Sequence, residues 1–171
     1  MARDISTFIS NFDGGARANL YKVTITAPTG VGNFQDVDLV AKAINLPAST
    51  LGEMPVPFYG RVLKLAGDRT YEDWTMTVIN HEDLRYRKLF EEWNLSINQH
   101  RQNIPSGDYR TLVTTGRVLV QPLDRVGKPT RTYTLFNAFP REISSIDMAF
   151  DQNDSISEFT VTWGYTYFEL S

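Results

Sequence analysis

Hydrophobic and polar residues alternate with a period of two over several short stretches, which is the pattern of half-buried β-strands. The clearest stretch is Ser157–Glu169, where one face holds Phe159, Val161, Trp163, Tyr165 and Tyr167. Another begins at Trp74 and places Met76 and Val78 on the same face. Shorter alternations predict strands at about Asn19–Ala27, Gln35–Ile44, Phe58–Leu65, Thr115–Leu123, Thr130–Ala138 and Glu142–Met148.

Two stretches have the helical period instead. The stretch at about 81–98 carries one apolar stripe, formed by Tyr86, Leu89, Phe90, Trp93 and Ile97. Asn80 is its predicted N-cap, with Asp83 three residues on. Near the N-terminus a short helix is predicted from Ile5, Phe8, Ile9 and Phe12, which share one side.

The segment Asn45–Pro57 contains three prolines and a glycine, which predicts an extended loop. Four of its side chains are nevertheless apolar: Leu46, Leu51, Met54 and Val56. Such side chains are poor loop residues for a monomer and good anchors against a second subunit.

These elements predict a mainly β fold. Successive strands are close in sequence, so two antiparallel sheets should pack as a sandwich or small barrel, with a flanking helix at about 81–98 and a short N-terminal helix. The chain shows no internal repeat and no linker. We therefore expect a single domain over 1–171, with an N-terminal arm at 1–18 and the extended loop at 45–57.

Composition removes several function classes. The 171 residues carry 17 basic and 20 acidic side chains, a net charge of −3, which argues against tight binding to a phosphate backbone. The absence of cysteine excludes disulfides, thiol nucleophiles and cysteine-ligated zinc. No apolar run approaches the roughly 20 residues of a membrane span, and the start lacks a secretory signal, so folding in a cytosol is expected.

The candidate chemistry is weak. Asp36 and Asp38 could be a divalent-metal pair on a strand face, although a solvated face is favoured because no third acidic residue is placed nearby. His81 and His100 are separated by a helix about 27 Å long and cannot share a metal. The alternating aromatic residues at the C-terminal end are a core face rather than a stacking platform. No nucleophile elbow or phosphate-binding loop is present, so neither a cofactor nor catalysis is expected.

The stretch "LAGDRTYEDWTMTVIN" poses a sharper choice, because its predicted loop gathers Asp68, Arg69, Glu72 and Asp73 before a strand. Such charges could form an active site. Arginine beside carboxylates also ties a loop to itself or to a neighbouring subunit. With no nucleophile, histidine base or metal cluster within sequence reach, the subunit joint is the preferred hypothesis.

These same residues carry a family resemblance. The strings "NLYKVTI", "AKAINLPAS" and "EMPVPFYGR", the stretch quoted above and the C-terminal "SISEFTVTWGYTYFE" resemble the tail tube proteins of contractile-tailed bacteriophages. The resemblance runs in order through about Asn19–Trp93 and returns at about Ser155–Glu169. The region 98–140 is weaker and longer.

The resemblance implies a virion protein assembled in the host cytoplasm. Six copies would form a ring in which each gives four strands to one inner barrel, roughly 45–50 Å across for 24 tilted strands. Rings would stack into a tube inside a contractile sheath, between a baseplate initiator and a tail terminator. DNA would pass through the tube only transiently.

Two residue sets follow as expectations. Contacts between subunits or rings are assigned to Leu46, Leu51, Met54, Val56, Asp68, Arg69 and Asp73. The lumen is assigned to Asp36, Asp38, Lys42, Arg117 and Gln121, on two strand pairs near 35–65 and 115–138. The alternatives are a tube initiator or secretion-machine ring protein of the same fold, and a soluble hydrolase or ligand-binding β domain using the Asp68/Arg69 loop.

Overall fold

A computed structural model describes residues 5–12, 15–151, 153 and 155–171. Within these residues the strands are β1 (Tyr21–Thr26), β2 (Ala41–Ile44), β3 (Ser49–Phe58), β4 (Arg61–Tyr71), β5 (Trp74–Ile79), β6 (Arg117–Pro122), β7 (Tyr133–Phe136), β8 (Phe139–Ile143), β9 (Glu158–Gly164) and β10 (Tyr167–Leu170). The helices are α1 (Ile5–Phe12), α2 (Val37–Val40), α3 (Arg85–Ile97) and α4 (Tyr109–Thr114).

Eight of the strands form two four-stranded antiparallel sheets, in the orders β1-β6-β7-β10 and β2-β5-β9-β8. We call these the first and second sheets. The remaining strands, β3 and β4, pair only with each other. The mainly β, antiparallel fold class is therefore confirmed, and the separate hairpin is an addition to it.

The two sheets share one long bent strand pair. β7 continues into β8 after two residues, and β9 continues into β10 after two residues, so each strand leaves one sheet and enters the other. The stretch predicted as one strand over Ser157–Glu169 is thus two strands. Close approach at the bend requires glycine, since a Cβ on Gly164 would lie 2.9 Å from the Phe139 ring.

The core lies between the sheets and is dominated by aromatic side chains. Trp74, Met76 and Val78 of β5 are fully buried, as their alternation predicts. The core-face interpretation of the C-terminal aromatic residues is confirmed at Phe159 and Trp163, which are also buried. This position excludes a solvent-facing stacking platform at those two residues.

Helix α3 covers the core with its predicted stripe, burying Tyr86, Phe90 and Trp93. The predicted N-cap is wrong, because the helix begins at Arg85. Asn80 instead joins the loop before β9: its backbone N–H donates to the Ser157 carbonyl (2.9 Å) and its amide to the Ser157 hydroxyl (3.0 Å).

The strand predicted at Gln35–Ile44 is wrong in its first half. Residues Val37–Val40 form a helical turn preceded by Asp36 at φ 60°, and only Ala41–Ile44 is a strand. Leu39, within this helical turn, is 80% exposed. Asp36 and Asp38 therefore do not share a strand face. The Tyr21 hydroxyl lies 2.8 Å from the carbonyl oxygens of both Ala41 and Lys42, and its single proton, shared between these two acceptors, ties β1 to β2.

The predicted loop over 45–57 is also wrong, since most of it is β3, which runs on to Phe58. Two other boundaries differ. Helix α4 was not predicted, and the strand expected at Glu142–Met148 lies earlier, at Phe139–Ile143. The short N-terminal helix is confirmed as α1, and its four apolar side chains are all more than half exposed.

Candidate subunit interface

The β3–β4 hairpin is the part of the molecule that most lacks a partner. Its strands have ten and eleven residues, which corresponds to about 33 Å of extended chain. Neither pairs with a third strand, so both outer edges present unpaired N–H and C=O groups. A protein that leaves such edges open offers them for pairing with another chain.

The hairpin has two chemically different faces. On one face Met54 pairs with Leu65, and Val56 with Leu63. These four side chains are 54%, 41%, 40% and 58% exposed in the order given. On the other face the Lys64 ammonium lies 3.0 Å from a Glu53 carboxylate oxygen. The apolar face of the hairpin is therefore left exposed by its own copy, and a partner could bury it.

A β-bulge divides the hairpin into a base and a tip. The register shifts between Leu51 and Glu53, where Gly52 faces Gly67 and Asp68 on the other strand. A Cβ on Gly67 would lie 3.2 Å from the Gly52 backbone, closer than an ordinary contact. The base is Ser49–Leu51 with Arg69–Tyr71, and the tip runs from Glu53 to Ala66.

Aromatic contacts fix the base of the hairpin to the rest of the fold. The Tyr71 ring lies 5.5 Å from that of Phe168 and 6.0 Å from that of Tyr165. The pKa of Tyr165 is raised because the phenol is partly buried and because Tyr71, Asp73 and Glu72 lie nearby. Every residue of the tip, from Glu53 to Ala66, is exposed, so these aromatic contacts hold the hairpin at its base.

The structure separates the charged residues that the sequence groups together. Asp68 and Arg69 lie within β4 rather than in a loop. Arg69 donates a 2.8 Å hydrogen bond to the Ser49 hydroxyl, whereas Asp73 pairs with Arg141 of β8. Among the described residues no salt bridge joins Arg69 to a carboxylate. Arg69 and Asp73 therefore stabilise two separate contacts within one copy.

All four predicted apolar contact residues are exposed: Leu46 at 51%, Leu51 at 52%, and Met54 and Val56 as given above. Their role at an interface stays a prediction. Three further exposed apolar residues of β4 were not predicted as contacts: Leu63, Leu65 and Val62, the last of which is 60% exposed. The alternation in "RVLKLAGD" was the signal that could have found two of them.

The five predicted lumen residues do not lie on one surface. Asp38 belongs to α2 and Asp36 directly precedes it, whereas Lys42 of β2 forms a 2.5 Å ion pair with Glu158. Arg117 and Gln121 do share a face, the outer face of β6 in the first sheet. The pairing of 35–44 with 58–65 is wrong, because β2 pairs with β5 and β4 with β3.

The remaining candidates are a histidine, possible metal-ligand clusters and a possible membrane span. His81 lies 3.0 Å from Asp83, at the start of α3. No cluster of three or more possible metal ligands occurs among the described residues. Within the same residues, no helix has the length and apolar character needed to cross a membrane.

A family model described as phage tail tube protein matches residues 16–171. The chain belongs to this family. It is 31% identical over 160 residues to tail tube protein gp19 of Enterobacteria phage T4, covering 92% of this chain and 94% of that one. The tail tube protein of Serratia phage KSP90 is 30% identical over 160 residues, covering 92% and 89%.

Solved structures show the same fold in contractile machines. A chain of the PVC sheath/tube terminator of an extracellular contractile injection system matches with a TM-score of 0.66 at 13% identity, covering 91% of this chain and 95% of that one. A chain of the anti-feeding prophage baseplate matches at 0.64 and 16%, with the same coverage. Family and fold agree that the protein is a structural tail tube subunit and a component of the virion.

Proposed function

We propose that six copies of this chain close into a ring, that rings stack into a tube within a contractile sheath, and that the tube conducts DNA during ejection. The observation that carries this proposal is the β3–β4 hairpin, which has an apolar face and two open edges without a partner in its own copy. A second copy would supply both missing partners at once.

The first sheet is the part that we assign to the inner barrel. Its four strands equal the number that each copy would contribute. One face buries Val23 and Val118, and the other carries Arg117 and Gln121. The lumen of a wide barrel is filled with water, so the strands that line it need a polar second face of this kind. Of the predicted lumen residues, we therefore keep Arg117 and Gln121.

The hairpin is the inter-subunit arm in this scheme. We assign the contacts to Leu46, Leu51, Met54 and Val56, and add Leu63 and Leu65 from the facing strand. Arg69 and Asp73 act indirectly, because they hold the base of the arm and the following turn in place. The whole chain then serves as one tail tube domain, with 1–18 as an arm outside the barrel.

The ends and the outside of the tube need other proteins. Chains of similar fold occur in the anti-feeding prophage baseplate and in the PVC sheath/tube terminator. By analogy we propose that a baseplate initiator and a tail terminator bound the tube and that a sheath surrounds it. No catalytic role is proposed for Asp68 and Arg69, which lie in a paired strand.

Electron microscopy of the purified protein tests the proposal directly. Rings with six-fold symmetry, or tubes built from them, are the expected result at high protein concentration. Sedimentation should show mass increasing from monomer to ring to tube as concentration rises. A protein that stays monomeric at millimolar concentration, in both low and high salt, would contradict the assembly.

A further inference from the structure

Helix α1 and the turn between β6 and β7 enclose an open groove of about 490 Å³. Its apolar wall is formed by Phe12, Leu20, Leu123 and Val126, the last of which is 91% exposed. Arg17 and Arg125 also line it. The groove therefore combines apolar surface with positive charge.

The turn itself is held in shape by its one carboxylate. Asp124 accepts backbone hydrogen bonds from Val126 at 2.9 Å and Lys128 at 2.8 Å. Arg125 and Lys128 lie in the turn, and Arg131 follows it. Asp124 keeps its negative charge in these hydrogen bonds, so the groove lining carries two cations, Arg17 and Arg125, against one carboxylate.

The loop between β8 and β9 has the opposite character. Residues 144–157 contain three acidic side chains and no lysine or arginine. Three large apolar side chains in this loop are strongly exposed, namely Met148 at 80%, Phe150 at 105% and Ile156 at 76%. The string "DMAFD" places Asp147 and Asp151 on either side of Phe150 in sequence.

The groove and the loop lie at opposite ends of one strand path. The β6–β7 turn immediately precedes β7, while the acidic loop immediately follows β8, and β7 runs into β8 after two residues. No residue of the loop lines the groove. Each copy therefore carries two complementary surfaces that its own fold keeps apart.

We propose that Phe150 of one copy inserts into this groove of a second copy, with Asp147 and Asp151 facing Arg17 and Lys128. This inference rests on the proposed tube function and names one of its contacts. The two surfaces differ from each other, so the contact is head-to-tail and can repeat through a ring or a stack. Apolar burial supplies an anchor and the charges set orientation.

A second copy is the occupant that the charges favour. The groove requires a partner with an exposed aromatic or aliphatic side chain between carboxylates, and the same chain carries one on an exposed loop. A fully exposed phenylalanine is poorly placed in a monomer, and its burial in an assembly explains the exposure.

Engineered disulfides test the contact cleanly, because the natural chain contains no cysteine. The double variant Phe150→Cys/Val126→Cys should give a ladder of covalent oligomers under mild oxidation. An equimolar mixture of the two single variants should stop at dimers, since each chain then has one reactive end. A ladder that ends at the ring size indicates lateral contact, and a longer ladder indicates contact between rings.

The control double variant Phe150→Cys/Ile104→Cys places the second thiol on another exposed apolar position, which is 52% exposed and is not among the residues that line the groove. It should give no ladder. Equal ladders from both double variants, or none from either although the Phe150→Cys/Val126→Cys protein itself forms tubes, would overturn this inference and leave the tube function intact. A parent that never assembles would overturn both.

Charge reversal gives a second readout. Asp147→Lys/Asp151→Lys should lower tube yield at least tenfold at low salt, and Arg17→Glu/Lys128→Glu should do the same. Mixing the two reversed proteins should restore growth by alternation, because both contacts between unlike variants again pair opposite charges, and the quadruple variant should recover growth on its own. Unchanged yield in both reversed variants contradicts the contact.

Discussion

The guanidinium of Arg69 donates a 2.8 Å hydrogen bond to the hydroxyl of Ser49 on the facing strand of the β3–β4 hairpin. The sequence suggested Arg69 as part of a charged catalytic group, but its partner in the structure is a neutral hydroxyl and not a carboxylate. The bond ties together the base of the hairpin, beyond the bulge at Gly52. Its role is mechanical, and its exposed position limits its contribution to stability.

Arg69→Ala should therefore cost less than about 1 kcal/mol of unfolding free energy in the dissociated chain, the usual range for an exposed hydrogen bond. Urea unfolding of the monomer measures this. Arg61→Ala, at the hairpin tip, is the matched control for loss of one exposed arginine. A loss of several kcal/mol in the Arg69 variant alone would mean that a buried carboxylate pair exists after all.

Met54→Asp/Val56→Asp separates assembly from folding. Both side chains are exposed in the single copy, so monomer stability should change by less than about 0.5 kcal/mol. Burial of two unpaired carboxylates at a joint would cost several kcal/mol, so tubes should be absent. Electron microscopy and sedimentation check the two halves of this prediction.

The control for that variant is Leu39→Asp, which adds a charge at an apolar position that is 80% exposed on α2. It should leave assembly close to that of the parent. If tubes of the Met54/Val56 variant are normal, the apolar face of the hairpin is not a joint. If its monomer unfolds, the face supports the fold of a single copy.

The strands and helix that bury a single face were predicted correctly from the sequence. Trp74, Met76 and Val78 alternate because one face of β5 meets the core, and α3 shows its stripe for the same reason. The bend between β9 and β10 was not indicated by any such pattern in the sequence. The sequence alternates through Tyr165 and Tyr167, but after the bend Tyr167 is exposed and Phe168 is the residue that packs against the core, so the prediction that Tyr167 shares the core face is wrong.

The two wrong segments have separate physical causes. In "VDLVAKAI" an alternating set (Val37, Leu39, Ala41 and Ala43) overlaps a set with helical spacing (Val37, Val40, Ala41 and Ile44), and the structure uses one turn of helix first. In 45–57 the prolines indicated a loop. Pro55 and Pro57 are nevertheless tolerated in β3, because a strand paired on one side only can spare their N–H groups.

The candidate interface was predicted only in part, since it depends on pairings distant in sequence. Asp73 meets Arg141, 68 residues away, and nothing near either residue indicates it. By contrast, Met54 and Val56 were found because apolar residues beside prolines are conspicuous. Leu63 and Leu65 were missed, although they complete the same face, because that strand was read as part of the barrel.

Gly116→Ala should destabilise the fold strongly. A Cβ there would lie 2.0 Å from the Ala138 carbonyl oxygen and 2.8 Å from the Trp93 ring, at the point where β7 bends toward β8. Backbone must move to relieve such overlap, so the expected loss is at least about 1–3 kcal/mol of unfolding free energy, by urea titration. Gly107→Ala is the control, because its Cβ would meet Leu112 at an ordinary 3.8 Å. Equal stability of both variants would contradict the tight approach.

The ionisation of Asp83 should make the stability of α3 depend on pH. Its carboxylate accepts the Arg85 backbone N–H at 3.1 Å, and this bond, with the nearby His81 and Arg85 charges, holds its pKa below the ordinary 3.8. A lowered folded pKa contributes stability that is present above the unfolded value and is lost as pH falls through the folded one. Asp83→Ala should thus be less stable than the parent at neutral pH, and the difference should shrink between about pH 5 and pH 2. Urea titrations of the dissociated chain across this range measure it, with Glu82→Ala as the adjacent exposed control. A difference that stays constant down to the lowest pH would show that the helix start does not depend on this carboxylate's charge.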